Sequence, residues 1–178
     1  MLLRPEEQSS LPANNTKRLD ASGAARVLSR QILAKIGFNN FSILRSSTGE
    51  PLWPKGVVGS LAHDDEMAVA VIGRNNDYLG LGIDIETAGP LPEDIISLVR
   101  TPEDICGQYD SSALADRILF CVKEAVYKAV YPLDRIILNY DDICVDLSKS
   151  IAYTAIRKLN LNIFFDSKVT VIAALPQG

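Results

Sequence analysis

Leu79-Gly80-Leu81-Gly82-Ile83-Asp84-Ile85-Glu86 decides the fold. The stretch is rich in Leu and Ile, follows a turn signal at Arg74–Asp77 and is broken by Ala88–Pro92, so it reads as a strand. Side chains two apart on a strand share a face. Asp84 and Glu86 therefore point one way, while Ile83 and Ile85 point into a core. Carboxylates about 7 Å apart along a strand can share an oxygen-seeking cation such as Mg²⁺. The alternative is an edge strand with a solvated acidic face.

Working outward, Ala68–Ile72 is an apolar run suited to a buried strand, and Pro92–Val99 suits a helix. Pro102 fits the first turn of another short helix, with Thr101 as its N-cap. From Ser112 to Tyr131, Leu114, Ile118, Cys121, Val122, Ala125 and Ala129 form a helical stripe, which Pro132 is expected to end. The segments 136–138, 143–147, 151–156, 162–165 and 169–175 read as strands. Before the central strand, Ala21–Ile36 has helical spacing with Gly37 as its stop, and 41–44 is a short candidate strand. Ser46–Gly59 reads as a Pro/Gly-rich loop, and residues 1–20 as a polar lead-in. The fold class is mixed α/β (α+β), with antiparallel hairpins in the second half.

A chain of 178 residues, 47% hydrophobic and 22% charged, is ordinary for a globular protein. It is long enough to bury roughly 70% of its unfolded surface. The single histidine, His63, excludes a zinc site built on several imidazoles and forces any Ser-His-Asp or Cys-His chemistry through that residue. Cys106, Cys121 and Cys144 form no C-x-x-C pair and read as reduced thiols. Met1–Asp20 lacks the apolar core of a signal peptide, and no apolar run approaches the roughly 20 residues that span a bilayer. A cytoplasmic protein without a membrane role is expected. The net charge of −4 argues against bulk nucleic-acid binding.

That charge is unevenly spread. Lys17–Lys35 carries five basic side chains against Asp20, a net +4. Asp84–Asp116 carries eight acids against Arg100, a net −7. Both can be solvated surfaces, or a basic cradle for a polyanion and an acidic centre for a divalent cation.

Two further constellations bear on that choice. In Phe120-Cys121-Val122-Lys123-Glu124-Ala125-Val126-Tyr127-Lys128, Glu124 and Lys128 stand at i and i+4. As a surface ion pair this is worth about 0.3–0.5 kcal/mol. As a site, Glu124 is a third metal ligand and the lysines hold phosphate. In Gly59-Ser60-Leu61-Ala62-His63, the histidine is either structural or a donor to phosphate. Neither G-x-x-x-x-G-K-[ST] nor G-x-G-x-x-G occurs.

In their order along the chain these motifs resemble those of the 4'-phosphopantetheinyl transferases of the enterobactin- and surfactin-synthetase activating type. Ser60-Leu61-Ala62-His63 resembles their S-x-[ST]-H, and Gly82–Glu86 their G-[IV]-D-[IV]-E. Phe120–Lys128 resembles their [FW]-[ST]-x-K-E-[AS]-x-x-K. Gly49-Glu50-Pro51-Leu52-Trp53-Pro54-Lys55-Gly56 is similar to the G-x-P-x-W-P-x-G loop, and Arg26 and Arg30 to the paired arginines. Ala62 departs from the usual Ser or Thr, and Cys121 from the usual Ser.

The resemblance implies two similar α/β halves related by pseudo-two-fold symmetry, here 1–98 and 99–178, with coenzyme A and Mg²⁺ between them. It implies transfer of 4'-phosphopantetheine from coenzyme A to a serine of an apo acyl or peptidyl carrier protein, releasing adenosine 3',5'-bisphosphate. Asp84, Glu86 and Glu124 would bind the metal. Lys123 would hold the metal-bound carboxylates or a phosphate, and Lys128 the pyrophosphate. His63 would contact phosphate, and Arg26, Arg30 and Lys55 the 3'-phosphate. Glu103 resembles an acid the family carries between its signature motifs, and Glu124 would accept the serine proton directly or through a metal-bound water. A monomer is expected. The competing readings are a weakened coenzyme A-binding module, motivated by Ala62, and a Mg²⁺-dependent phosphodiesterase.

Overall fold

The computed structural model describes residues 2–12, 15–109 and 114–178. Asp110 and the expected helix start at Ser112 lie outside the described residues. In chain order the elements are α1 (Pro5–Ser10), α2 (Thr16–Lys35), β1 (Val57–His63), β2 (Ala68–Arg74), β3 (Tyr78–Thr87), α3 (Glu93–Val99), α4 (Ala115–Asp134), β4 (Cys144–Asp146), β5 (Ile151–Tyr153), β6 (Lys158–Phe165) and β7 (Lys168–Pro176). The mixed α+β class is as expected.

β3 heads a five-stranded antiparallel sheet in the order β3-β7-β6-β5-β4. β1 and β2 form a separate hairpin. Strand alternation gives β3 two buried faces. Ile83 and Ile85 pack with Ala62, Val69, Val71 and Ile172, which seats the hairpin against the sheet. Leu33 of α2 packs with Ile43 and Val57, with Leu61 and Ile72 around them, on the hairpin's other side. α4 covers the opposite face of the sheet through Ile118, Val122 and Val126, against Val169, Val171 and Ala173 of β7. The layers therefore run α2, hairpin, sheet, α4. β3, from before residue 98, shares its sheet with β4–β7 from after it.

The second face of β3 carries Gly80, Gly82, Asp84 and Glu86. A Cβ at Gly82 would stand 1.8 Å from Ala125 O, and one at Gly80 would stand 2.4 Å from Ala129 O. Only glycine lets α4 lie directly on the strand backbone there.

Several boundaries differ from expectation. α2 begins at Thr16, where the Asn15 side chain accepts the Lys17 N–H at 2.9 Å. It ends where Gly37, at φ 95°, turns the chain and Phe38 N–H reaches Leu33 O. The helix starts five residues before the apolar spacing does. β1 begins at Val57, inside the expected loop, because Gly59 fits beneath Val71 O and the Trp53 ring. Phe41–Leu44 forms no strand; only the single bridge Arg45–Pro51 follows it. Residues 101–104 form a turn closed by the Asp104 carboxylate on the Thr101 N–H, and no helix starts at Pro102. α4 continues through Pro132, which in the last turn removes only one helical hydrogen bond. The helix instead stops at Arg135, at φ 56°. Residues 136–138 form no strand. Among the described residues no helix is long and apolar enough to cross a membrane.

Gly82→Ala tests the strand–helix contact. The added methyl meets backbone, which has no rotamer to escape into, so the variant should lose about 3 kcal/mol or more of unfolding free energy in urea titration. A loss under about 0.5 kcal/mol would mean that α4 can retreat at little cost.

Candidate active site

The α4–β3 contact brings Lys128 to Asp84. Lys128 Nζ lies 2.5 Å from Asp84 Oδ1, and Asp84 is 6% exposed. The other oxygen, Asp84 Oδ2, is buried with no hydrogen-bond partner. Glu86, on the same face, pairs with Arg117 at 2.9 Å. Burial first, and the Asp84 charge second, push the Glu86 carboxyl upward. An unpartnered buried carboxylate oxygen beside a second carboxylate on the same strand face is a donor set suited to a hard divalent cation.

Glu124 does not join them. Among the described residues no three His, Cys, Asp or Glu side chains are grouped to hold a metal. Glu124 Oε1 accepts the Tyr140 hydroxyl at 2.9 Å. Burial, then this carboxylate, pushes the Tyr140 hydroxyl upward, so it remains a donor. Glu103 is exposed and lines a cavity of about 730 Å³ together with Glu124, Tyr127 and Tyr140.

Lys123 departs from the expected contact with phosphate or metal-bound acids. Its ammonium is fully buried and donates to Asp104 Oδ2 at 2.8 Å, Val99 O at 2.8 Å and Tyr140 O at 3.0 Å. An ammonium has three donors, and all are used. Asp104 also accepts from Thr101 N and Val145 N, so the buried pair is satisfied on both sides. The acid that matters locally is thus Asp104, one residue after Glu103. Its signal in the sequence was only its place in the acidic stretch.

On the other side of the hairpin, Arg18, Arg26, Arg45 and His63 line a cleft of about 350 Å³ with Gly49 and Pro51. Arg26 is 3% exposed, its Nε donating to Ile43 O at 2.8 Å and its Nη1 to Ser22 Oγ. Arg30 lies elsewhere, although it is one helical turn from Arg26. Its guanidinium pairs with the buried Glu7 at 2.5 Å and reaches Leu2 O at 3.0 Å. Glu7 in turn accepts the Ile43 N–H at 3.0 Å, so Arg30 fastens α1 to α2. Lys55 is exposed in the turn before β1 and does not line the cleft. Arg18 and Arg45, rather than Arg30 and Lys55, stand with Arg26 in this cleft. Arg18 stands eight residues before Arg26, near the same helix face, a spacing that could have found it. Arg45 gave no signal.

His63 shares a β1 face with Leu61, toward α2. Burial foremost, then the charges of Lys128, Arg18 and Arg26, hold its imidazole below 6.5. Ala62 faces the other way, at 6% exposure against Ile83 and Ile85. Its departure from Ser or Thr therefore falls in the core rather than on the cleft. Cys121 is likewise buried, its Sγ 3.6 Å from Val169 O, with burial pushing the thiol upward.

A wider cavity of about 510 Å³ runs between the hairpin and α4, lined by Trp53, Leu61, Leu81, Lys128 and Tyr131. Arg135, at the end of α4, pairs with Glu50 beside it. Gly49, Pro51 and Leu61 line both this cavity and the arginine cleft. Lys128 lines this wider cavity, which therefore borders the arginine cleft.

The 4'-phosphopantetheinyl transferase N-terminal domain family matches residues 6–73, and the 4'-phosphopantetheinyl transferase superfamily matches residues 80–173. The chain belongs to this superfamily. It is 36% identical to the 4'-phosphopantetheinyl transferase Svp of Streptomyces mobaraensis over 146 residues, 79% of this chain and 59% of that protein. It is 35% identical over 140 residues to Npt of Nocardia iowensis, covering 78% and 63%. With PptT of Mycobacterium tuberculosis the identity is 36% over 141 residues, covering 78% and 62%. The chain thus spans about three fifths of the length of these relatives.

Two measurements check this electrostatic picture. Lys123→Met leaves Asp104 charged, buried and without its cation, and should destabilise the fold by about 3–5 kcal/mol in chemical denaturation. An unchanged midpoint would return Lys123 to the site. For His63, an NMR titration of the free protein should give a midpoint below 6.5. The unfolded chain then takes the proton first, so stability present above about pH 6.5 is lost as pH falls toward the folded midpoint. His63→Gln should lose less stability than wild type over that window.

Proposed function

We propose that the protein transfers 4'-phosphopantetheine from coenzyme A to a serine of an apo acyl or peptidyl carrier protein, releasing adenosine 3',5'-bisphosphate. The observation that carries this reading is the buried Asp84 with its unpartnered Oδ2, paired to Lys128, whose charge reaches His63 in a cleft walled by arginines. A polyanion with a terminal phosphate and an internal pyrophosphate suits that layout, since guanidinium forks bind phosphate well.

In this reading Arg18, Arg26 and Arg45 hold the 3'-phosphate, and His63 and Lys128 hold the pyrophosphate. Asp84 and Glu86 would hold a Mg²⁺ ion, and Glu124, which is not grouped with them in this structure, would complete the set only as the three carboxylates are drawn together around the cation; when bound, the ion would supply positive charge to the pyrophosphate oxygens. Glu124 Oε2 accepts the proton of the carrier serine as its oxygen bonds to the pantetheine-side phosphorus. The phosphorus–oxygen bond to the other phosphate breaks, and adenosine 3',5'-bisphosphate leaves. Lys128 stabilises the charge gathered on that leaving group. Lys123 and Asp104 fix the α4 backbone from which Glu124 and Lys128 project. The same reading makes the protein a cytoplasmic monomer of two halves related by pseudo-two-fold symmetry, although the expected division into 1–98 and 99–178 is crossed by the pairing of β3 with β7.

The burial of Ala62 away from the cleft removes the motive for a weakened coenzyme A-binding module. A phosphodiesterase is disfavoured by the lone histidine, since such sites commonly gather histidines or more acids around two metals.

Purified protein with coenzyme A, Mg²⁺ and a panel of apo carriers should add one phosphopantetheine per carrier, read by intact-protein mass spectrometry. Asp84→Ala and Glu124→Ala should each lower the rate at least about a hundredfold, with the folded state kept by circular dichroism. Absence of any mass gain with coenzyme A still bound would sink the enzyme reading. Bisphosphate release without a carrier would support the phosphodiesterase.

A further inference from the structure

Tyr140 touches both members of the Lys123-Glu124 pair. Its carbonyl oxygen accepts from Lys123 Nζ at 3.0 Å, and its hydroxyl donates to Glu124 Oε1 at 2.9 Å. Neighbouring side chains leave a helix about 100° apart. One residue can hold both only from outside the helix, facing the gap between them.

The surroundings keep Tyr140 there. It opens a short turn, Tyr140–Asp142, in which the Asp142 carboxylate accepts the Asn139 N–H at 2.8 Å. The Phe120 ring, one helical turn before Glu124, packs on the Tyr140 ring at a centroid distance of 6.0 Å. The Tyr140 carbonyl is fixed by an ammonium that is itself locked to Asp104 and Val99 O. The hydroxyl thus sits at the end of a rigid frame, whereas a glutamate without a partner samples many rotamers.

We infer that Tyr140 is a positioning residue, holding Glu124 Oε1 so that Oε2 is presented to the reaction; this rests on the transferase reading of the site. Oε2 makes no hydrogen bond among the described residues, so one oxygen is anchored and the other is available. Carboxylates that serve a metal or move a proton are commonly steadied in this way by a donor outside the reacting set. The Lys123-Glu124 dipeptide then has a divided use. Its lysine fixes the tyrosine backbone, and the tyrosine side chain fixes its glutamate.

Tyr140→Phe isolates the hydroxyl. It keeps the ring against Phe120 and the carbonyl for Lys123. Mn²⁺ affinity is measured by calorimetry on the protein without coenzyme A, and kcat and KM for coenzyme A by carrier transfer. The expected result is Mn²⁺ binding about tenfold weaker or more, and a similar fall in kcat. KM for coenzyme A should change little, because the arginine cleft is untouched. In a Glu124→Gln background, Tyr140→Phe should weaken Mn²⁺ binding no further. Unchanged affinity together with unchanged kcat overturns the inference. Tighter Mn²⁺ binding also overturns it, since Tyr140 would then be holding Glu124 back. Wild-type protein that binds Mn²⁺ but modifies no carrier defeats the transferase reading alone, and the Mn²⁺ comparison still decides the role of Tyr140.

Discussion

The contact between α4 and the bare backbone of β3 at Gly80 and Gly82 sets the rest of the molecule. Without side chains at those positions, helix and strand meet at backbone distance. Lys128, one turn past Glu124, then falls beside Asp84. The pairing is a condition of burial rather than an ornament of it. A carboxylate in an apolar interior is costly unless a cation or donors meet it. Asp84 meets that condition at one oxygen only, and the other is left without a donor.

Two other buried ion pairs act by contrast as fasteners. Lys123 and Asp104 are satisfied at every donor and nearly every acceptor direction, and they tie α4 to the 99–104 turn and to β4. Glu7 and Arg30 tie α1 to α2 and to the backbone of Ile43. Saturation separates the Lys123–Asp104 pair from Lys128–Asp84. A complete hydrogen-bond set leaves nothing to offer a ligand, while an incomplete one does.

This contrast explains what could be read from the sequence. β3, α4 and the shared face of Asp84 and Glu86 follow from alternation and helical spacing, which depend on neighbours along the chain. The split between Arg26 and Arg30 does not. Both lie on one face of α2, and only the position of Glu7, from a lead-in with no apolar pattern, decides which is engaged. Arg45 reaches the cleft because a loop turns there, with no periodicity to mark it. β1 was hidden by Gly59, a loop signal in sequence but a packing requirement beneath Val71 O and Trp53. Pro132 misled for a related reason, since a proline's effect depends on how much helix remains after it. Lys123 and Glu124 look alike on spacing. Their fates diverge because Asp104 and Tyr140 arrive from distant segments.

β3 takes its place by pairing with β7, roughly eighty residues further along the chain, in a register that sets Asp84 opposite Val171 and Glu86 opposite Val169. Loop closure over such a distance comes late in folding. During synthesis, β3 has no neighbour in the five-stranded sheet until β7 has left the ribosome. A polypeptide that stops short of β7 therefore has its cleft arginines and its acids in hand, yet no sheet to align them. The alignment of Asp84 and Glu86 is thus deferred until β7 is in place.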